Sequence, residues 1–366
     1  MTIVIDGRPF IKSLTGIGVF LQCFIKSLQK NKNNKIIILL PDKLHSSVEI
    51  EFKDNVRIYY CPILGISHIP RIIWFIIKVP CILFKLKPDI FISAYTAIPI
   101  FKPSKTKTLA VVHDVVNIEF AKTMSWINRI NSNLIFNYAI KNSDYLWSNS
   151  QYTKNKINEY YPNRKAKEII TGLSVDNEIY HKINITINEK LELKKKYNIK
   201  DKFILFVGSI EPRKNLEFLL NLMPTLSKNN IQLLVVGGTG WKNSYIYNIV
   251  DNNPQIKNST IFAGYVSNKE LAKLYNIANC YVSTSLNEGF GMPQLEAMFC
   301  ECHVICPHNS GMIEVVAGKG ITIEGWDKNL WINKILEIVQ KEKPKYDLTQ
   351  YNWDIICNNV MLYCQK

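Results

Sequence analysis

Apolar runs of strand length alternate with helical stretches along most of this chain. The alternation predicts an α/β protein in which mostly parallel sheets are flanked by helices. One series of strands begins at residue 2 and a second begins afresh at residue 202, so we expect two Rossmann-like domains. Open parallel sheets bind ligands beyond the carboxyl ends of their strands, and we expect the two sheets to face a central cleft.

The predicted elements fall into two groups. Strands are predicted in the first domain at 2–6, 35–40, 57–60, 89–93, 108–112, 145–149 and 168–170, with helices beginning near residues 16, 71, 125 and 150. Strands are predicted in the second domain at 202–208, 232–236, 259–263, 279–283, 303–306 and 321–323. The polar, Lys- and Glu-rich stretch 176–201 lies between the groups and is predicted to be the interdomain crossing plus a short helix.

Composition narrows the choice of partners. The formal net charge of the 366 residues is +15, which suits nucleic acid, an anionic membrane surface or phosphate-bearing substrates. Biased use of Lys, Asn and Ile, as in 26–35, explains part of the charge equally well. Nucleic acid is disfavoured because aromatic and basic residues do not interleave as in known binding modules.

The cysteines and the first residues of the chain indicate where in the cell the protein is expected. Nine cysteines, an odd number spread over the chain, indicate reduced thiols. Cys300, Cys302 and Cys306 lie near two histidines, but their spacing is typical of strand alternation and predicts no zinc site. Residues 1–6 read directly into a buried strand, so we expect a cytoplasmic protein without a secretory signal.

The most apolar segment is 69–87. Lys78 and Pro80 interrupt it, so it falls short of the roughly twenty apolar residues of a membrane-spanning helix. Two interpretations are open: a core helix, or an interfacial helix with basic residues at both ends.

The strongest chemical signal follows the predicted strand 279–283. There the segment Gly289-Phe290-Gly291 lies between two carboxylates, Glu288 and Glu296. Seven residues separate these two glutamates. The glycines let the backbone approach a ligand closely. The start of the helix that follows would aim free N–H groups at an anion such as a diphosphate. Glu288 in the loop and Glu296 one turn into the helix can therefore face one ligand.

This pattern resembles the retaining glycosyltransferases of family 4, which have the GT-B fold and a Glu, seven-residue, Glu signature. It is similar in particular to bacterial mannosyltransferases of O-antigen and surface-polysaccharide synthesis. The resemblance implies that Glu288 contacts hydroxyls of the donor sugar and that Glu296 holds the donor ribose. It also implies an acceptor-binding domain over 1–175, completed by the C-terminal helix 350–366, and a nucleotide-sugar-binding domain over 176–349.

Other segments carry the same resemblance. Arg213 and Lys214 match the family's Gly, spacer, Arg-Lys-Asn element, and adjacent cations suit a departing diphosphate. Val266, in the segment 262–271, is implied to frame the nucleobase through the backbone. In the first domain, His113 follows strand 108–112 at the family's His-Asp position and is implied to contact the donor sugar.

A glycine turn completes the implied donor site. Gly16 and Gly18 follow the first strand and resemble the family's glycine loop beside the diphosphate and the acceptor. No Asp-any-Asp triplet occurs, so we expect no metal ion. No full G-x-G-x-x-G opens either domain, so we expect no NAD and no other cofactor.

The implied activity is transfer of a hexose, with mannose from GDP-mannose as the first choice, to a lipid-linked oligosaccharide in lipopolysaccharide or capsule synthesis. Such an acceptor implies a peripheral position at the inner face of the cell membrane. A sugar-nucleotide epimerase of similar fold and a non-catalytic glycan-binding scaffold are the alternatives.

Overall fold

The computed structural model describes residues 1–14, 16–62, 71–119, 126–240 and 243–365. The chain divides into two compact units, unit 1 with Met1–Leu173 and Gln350–Lys366, and unit 2 with Ser174–Thr349. Thr15 of the glycine turn, residues 69–70 of the apolar segment and the helix start predicted near Ser125 lie outside the described residues.

The first group of elements builds a seven-stranded sheet in unit 1. Its strands are β1 (Thr2–Asp6), β2 (Lys35–Leu40), β3 (Val56–Tyr60), β4 (Ile90–Ser93), β5 (Lys107–Val112), β6 (Tyr145–Ser148) and β7 (Lys167–Ile170). Its helices are α1 (Gly16–Leu28), α2 (Arg71–Leu86), α3 (Val116–Glu119), α4 (Trp126–Asn142) and α5 (Gln151–Tyr160). The strand order is β3-β2-β1-β4-β5-β6-β7, and every pairing is parallel.

The second group builds a six-stranded sheet in unit 2. Its strands are β8 (Lys202–Val207), β9 (Ile231–Val236), β10 (Thr260–Gly264), β11 (Cys280–Val282), β12 (His303–Pro307) and β13 (Ile321–Ile323). Its helices are α6 (Ile187–Lys196), α7 (Leu216–Leu220), α8 (Met223–Ser227), α9 (Ser244–Asp251), α10 (Pro254–Ser259), α11 (Asn268–Ile277), α12 (Met292–Phe299), α13 (Met312–Val316) and α14 (Lys328–Ile338). The order is β10-β9-β8-β11-β12-β13, again with parallel pairings.

The predicted α/β class with two parallel sheets is confirmed. Each of the thirteen predicted strands is present, and no strand end differs by more than one residue from its predicted position. The reason is that parallel strands covered on both faces are nearly continuous apolar runs. Ile3, Val4 and Ile5 of β1 are fully buried, as are Leu233 and Leu234 of β9.

The last helix, α15 (Trp353–Cys364), belongs to unit 1 and packs on α1. The Ser27 hydroxyl donates to Asp354 Oδ1 at 2.8 Å, and Lys30 Nζ lies 2.7 Å from Asp354 Oδ2. At the other end of the helix, the Tyr145 hydroxyl donates to the carbonyl of Cys364 at 3.3 Å.

Helix α2 combines features of both interpretations of the apolar segment. Trp74, Phe75 and Leu83 are buried against the sheet of unit 1. The opposite face is also apolar, with Ile77 and Phe84 more than half exposed. Among the described helices, none has both the length and the apolar character needed to cross a bilayer.

Candidate active site

The acidic and basic residues predicted to bind the donor in unit 2 meet at one edge of the sheet. Arg213 and Lys214 follow β8 in a short 3-10 helix over Pro212–Lys214, and Glu288 follows β11. Because β8 and β11 are neighbouring parallel strands, their carboxyl ends lie side by side. The fold therefore brings together charged side chains that are 75 positions apart in the sequence.

Four side chains form a compact ion cluster, which we define as Glu211, Arg213, Lys214 and Glu288. Arg213 Nη1 donates to Glu288 Oε2 at 2.9 Å, and Lys214 Nζ donates to Glu288 Oε1. Arg213 Nε and Nη2 both donate to Glu211 Oε1, at 3.1 and 2.8 Å. Two cations thus face two carboxylates, and the formal charge of the cluster is zero.

Glu288 is ionised throughout the physiological pH range. Burial opposes its ionisation and is the largest single influence, but the charges of Lys214 and Arg213 and the hydrogen bond from Lys214 act against burial. The Ser285 hydroxyl, which donates to Glu288 Oε1 at 2.7 Å, acts in the same direction as the two cations. Together they lower the pKa of Glu288 from 4.5 to about 2. Glu288 is therefore an acceptor for hydrogen bonds and not a proton donor.

The loop after β9 holds the backbone of the ion cluster. A Cβ on Gly237 would overlap the carbonyl oxygen of Gly208, and φ of Gly237 is +141°. The Ile210 N–H donates to the carbonyl of Gly238 at 3.1 Å, which ties the loop after β8 to its neighbour. Only glycine allows this close approach of two loops.

The turn Gly289-Phe290-Gly291 is held in the same way by the loop after β12. Gly291 is the N-cap of α12 with φ +113°, a conformation that favours glycine. The Gly311 N–H donates to the carbonyl of Glu288 at 2.9 Å, and the Glu288 N–H donates to Ser310 Oγ at 3.0 Å. These contacts fix the direction of the Glu288 backbone before any ligand binds.

Glu296 occupies a different environment from Glu288. It lies in α12, and its Oε2 accepts a hydrogen bond of 3.2 Å from the hydroxyl of Tyr275. Burial raises the pKa of Glu296 from 4.5 to about 7, although the Tyr275 hydrogen bond and the charge of Lys214 lower it. The two carboxylates of the signature thus have pKa values shifted in opposite directions.

Val266, the residue expected beside the nucleobase, lies just beyond the edge strand β10 and is buried. Strand β9 separates β10 from β8. Val266 is thus at the same carboxyl edge as the ion cluster, two strands away from Arg213 and Lys214.

His113 lies in unit 1 beside α1, the helix that carries Gly16 and Gly18. His113 follows β5, and its Nε2 lies 3.0 Å from the carbonyl of Ala94. A carbonyl only accepts, so Nε2 carries the proton and Nδ1 of the neutral ring is an acceptor. Burial lowers the pKa of His113 to about 4, which keeps the ring neutral near pH 7.

Phe20 connects the glycine turn to His113. Its ring packs edge-on against the His113 ring, with centroids 4.8 Å apart, and it lies two residues beyond Gly18 in α1. A side chain on Gly18 would collide with Leu14, whereas Gly16 is exposed and faces open space. Gly18 thus packs against Leu14, and Gly16 leaves room for a ligand at the start of α1.

Several side chains of this region have no signal in the sequence. They are Ser285 and Ser310, which bind Glu288, and Tyr275, which binds Glu296. Glu211 was visible only as part of a motif, although it pairs with Arg213. Serine and tyrosine are common in loops and cores, so no sequence signal distinguishes these side chains from ordinary packing residues.

Part of the chain matches a known protein family, and the chain is similar to several known proteins. Residues 189–352, which include the ion cluster and Glu296, match the family described as Glycosyl transferases group 1. The chain is 31% identical over 163 residues to the O-antigen chain mannosyltransferase B of Escherichia coli, covering 42% of each protein. It is 26% identical over 229 residues to the O-antigen chain mannosyltransferase RfbU of Salmonella typhimurium, covering 63% of this chain and 60% of that protein.

A third relative is an uncharacterized glycosyltransferase of Methanocaldococcus jannaschii, 27% identical over 213 residues and covering 55% of this chain and 54% of that protein. The chain thus spans about half the length of the relatives it matches.

Solved structures share the whole architecture. A sucrose-phosphate synthase from Thermosynechococcus elongatus has a TM-score of 0.73 at 18% identity, covering 100% of this chain and 98% of that one. Anabaena HepE in complex with UDP-glucose has a TM-score of 0.67 at 16% identity, covering 100% and 98%. WaaG, a glycosyltransferase involved in lipopolysaccharide biosynthesis, has a TM-score of 0.67 at 14% identity, covering 100% and 95%. These similarities show the fold, and the GT-B prediction is confirmed.

Proposed function

We propose that this chain, which contains a domain of the Glycosyl transferases group 1 family, is a retaining glycosyltransferase that moves a hexose from a nucleoside diphosphate donor to a glycan. The observation that supports this most is the ion cluster. It holds Arg213 and Lys214 beside Glu288 at the carboxyl edge of a parallel sheet, where such sheets bind nucleotides.

The proposed reaction uses the cluster at the bond that breaks. The bond between the anomeric carbon and the β-phosphate oxygen cleaves, and its electron pair leaves with the diphosphate. Arg213 and Lys214 stabilise the charge that accumulates there. The acceptor hydroxyl forms the new bond on the same face, and its proton passes to the leaving phosphate oxygen. Glu288 accepts hydrogen bonds from the donor sugar, and His113 is a further proposed sugar contact.

Mannose from GDP-mannose is the donor we propose. The support comes from two relatives that are named O-antigen mannosyltransferases. UDP-hexoses are the competing donors, since HepE was solved with UDP-glucose. A thermal-shift screen of GDP- and UDP-sugars discriminates between them, because a ligand that binds only the folded protein raises its stability. A larger shift with UDP-sugars than with GDP-mannose would contradict the mannose assignment.

Transfer itself is tested with the purified full chain, the donor and a polyprenyl-diphosphate-linked acceptor. Lys214→Ala is expected to lower kcat/KM at least about a hundredfold, since it removes a cation from the leaving group. Lys257→Ala is the matched control, because Lys257 forms an exposed ion pair with Asp251 in the same unit. NMR of the product should show the anomeric configuration of the donor.

Other outcomes favour the alternatives. Nucleotide-sugar binding without transfer to any acceptor would favour a glycan-binding scaffold. An altered sugar that stays attached to its nucleotide would favour an epimerase.

A lipid-linked acceptor requires the protein to work at a membrane, and unit 1 has suitable features. It contains 25 Lys and Arg residues against 12 Asp and Glu, whereas unit 2 contains 20 against 18. On the outer face of α2, Ile73, Ile76, Ile77 and Phe84 are between 39% and 55% exposed. An apolar helix face on a basic domain suits an anionic bilayer surface. We therefore propose a peripheral position at the inner face of the cell membrane.

Vesicle flotation tests the membrane proposal. Wild-type protein should bind vesicles of anionic phospholipid at low salt and bind them less at high salt. Changing both Ile76 and Ile77 to Ser should lower binding at least about tenfold, since it removes apolar area that enters the bilayer. Leu191→Ser in unit 2 is the control, because Leu191 is 60% exposed on a helix outside unit 1. Absence of wild-type binding at low salt would exclude this surface as a membrane anchor.

A further inference from the structure

A cluster of buried tyrosines lies next to Glu296, and we define it as Tyr180, Tyr275 and Tyr281. All three are at most 3% exposed. The Tyr275 ring packs edge-on against the other two, with centroids 6.3 Å from Tyr180 and 5.8 Å from Tyr281. Phenylalanine would fill the same core space, so the hydroxyl of a central tyrosine needs its own explanation.

The hydroxyl of Tyr275 has its hydrogen-bond partner in Glu296. It donates to Oε2 at 3.2 Å, and Tyr275 is fully buried. An unpaired hydroxyl at such a position would cost free energy, so the hydroxyl and the carboxylate depend on each other. Oε1 of Glu296 accepts no hydrogen bond from the residues that the structure describes, and Glu296 is partly exposed. One carboxylate oxygen is therefore held by the protein, and the other is available to a ligand.

We propose that Tyr275 is a positioning residue whose hydroxyl holds Oε2 of Glu296 so that Oε1 receives the ribose hydroxyls of the nucleotide. The inference deepens the proposed function, on which the ribose contact of Glu296 rests. It adds a side chain from α11, which contributes neither carboxylate of the signature. A bound ribose would then meet an oriented acceptor, and little conformational freedom of Glu296 would be lost on binding.

The same hydrogen bond affects the ionisation of Glu296. The groups that face Glu296 are the three tyrosines of the cluster, Lys214 and Cys300. Burial raises the pKa of Glu296 to about 7, and the Tyr275 hydroxyl and Lys214 oppose that rise. Removing the hydroxyl should therefore raise the pKa further. At neutral pH more of the carboxyl would be protonated and would accept hydrogen bonds from ribose less strongly.

Calorimetric titration of wild type and Tyr275→Phe tests the proposal. The ligands are GDP, UDP and their 2′-deoxy and 3′-deoxy forms, and the pH runs from about 5.5 to 9, a range that spans the Glu296 pKa. Wild-type affinity for the ribonucleotide should increase as the pH rises through about 7. In Tyr275→Phe the midpoint should move roughly one pH unit higher, and affinity at neutral pH should fall about tenfold. KM for the donor should rise by a similar factor, with kcat within about twofold.

The deoxynucleotides separate positioning from general damage. The deoxynucleotide that lacks the bound hydroxyl should have nearly the same affinity for wild type and Tyr275→Phe. Tyr346→Phe is the matched control, because it removes a hydroxyl that donates to the backbone of Cys302 at 3.2 Å. Its affinity and midpoint should equal those of wild type. In a Glu296→Gln background, which has no ionisation to shift, Tyr275→Phe should leave the pH dependence unchanged.

Three results would overturn the inference. The first is a Tyr275→Phe protein whose affinity, and whose midpoint of affinity against pH, equal those of wild type. The second is an equal loss of affinity for the ribonucleotide and both deoxynucleotides. The third is a shift of the pH dependence by Tyr275→Phe in the Glu296→Gln background. Failure of the wild-type protein to bind any nucleoside diphosphate is a different result. It would refute the proposed function and not the role of Tyr275 within it.

Discussion

Replacing Glu288 with Gln is expected to strengthen nucleoside diphosphate binding while it lowers sugar transfer at least about a hundredfold. In the ion cluster, Glu288 accepts hydrogen bonds from both Arg213 and Lys214. An incoming diphosphate therefore competes with Glu288 for the same N–H donors. Gln has nearly the size of Glu but no charge, so the formal charge of the cluster rises from zero to +1.

The pKa of Glu288 sets the magnitude of this effect. Its decrease from 4.5 to about 2 corresponds to about 3 kcal/mol of net stabilisation by the surrounding groups. The Glu288 side chain is only 14% exposed, so solvent screens this interaction little. Glu288→Gln should lose most of this stabilisation in the ligand-free protein. If the diphosphate recovers half of it, affinity rises about tenfold.

Calorimetry with GDP and UDP, together with a donor-turnover assay, measures both effects. Binding should tighten in Glu288→Gln, turnover should fall at least about a hundredfold, and the gain in affinity should shrink at high salt. Glu337→Gln is the control, since Glu337 pairs with lysines on an exposed surface of unit 2. Weaker diphosphate binding in Glu288→Gln would refute the competition argument. Near-normal turnover would refute the assigned role of Glu288.

The pKa shifts and the close packing of two loops support three more expectations. The folded-state pKa of Glu288 is depressed, so ionised Glu288 stabilises the folded protein fully above pH 4.5, and this contribution is lost toward pH 2. Acid unfolding should therefore depend less on pH in Glu288→Gln than in wild type. Gly237→Ala should destabilise unit 2 by more than about 2 kcal/mol in urea unfolding, because the added Cβ would overlap Gly208. Gly238→Ala is the control and should be nearly neutral, because a Cβ at Gly238 would meet open space. NMR titration of His113 should give a pKa of about 4, below the ordinary value of 6.5. Between these two pH values the unfolded chain binds the proton more readily, so the folded protein should lose stability as the pH falls from 6.5 toward 4.

Local patterns were sufficient to predict the strands of both sheets. The apolar runs of β1 and β8 are short and nearly continuous. Such runs are typical of strands in a parallel sheet, because helices cover both faces of the sheet. The predicted helix start near residue 150 coincides with Ser150, whose side chain caps α5 by accepting from the N–H of Thr153. Helix α2 was harder, because an apolar run has no sequence feature that tells which face meets the sheet.

The sequence by itself determined the two parallel sheets, the glycine turn before α12 and the chemical types that surround it, because these depend on neighbours within a few residues. Only the tertiary structure decided which charges meet. Glu288 and Glu296 are the same residue type on one short segment, yet their pKa values shift in opposite directions. The difference arises because adjacent β8 and β11 bring two cations into contact with Glu288, whereas at Glu296 burial outweighs the Tyr275 hydrogen bond and the charge of Lys214. Strand order and helix packing join residues distant in sequence, and no local pattern encodes those partners.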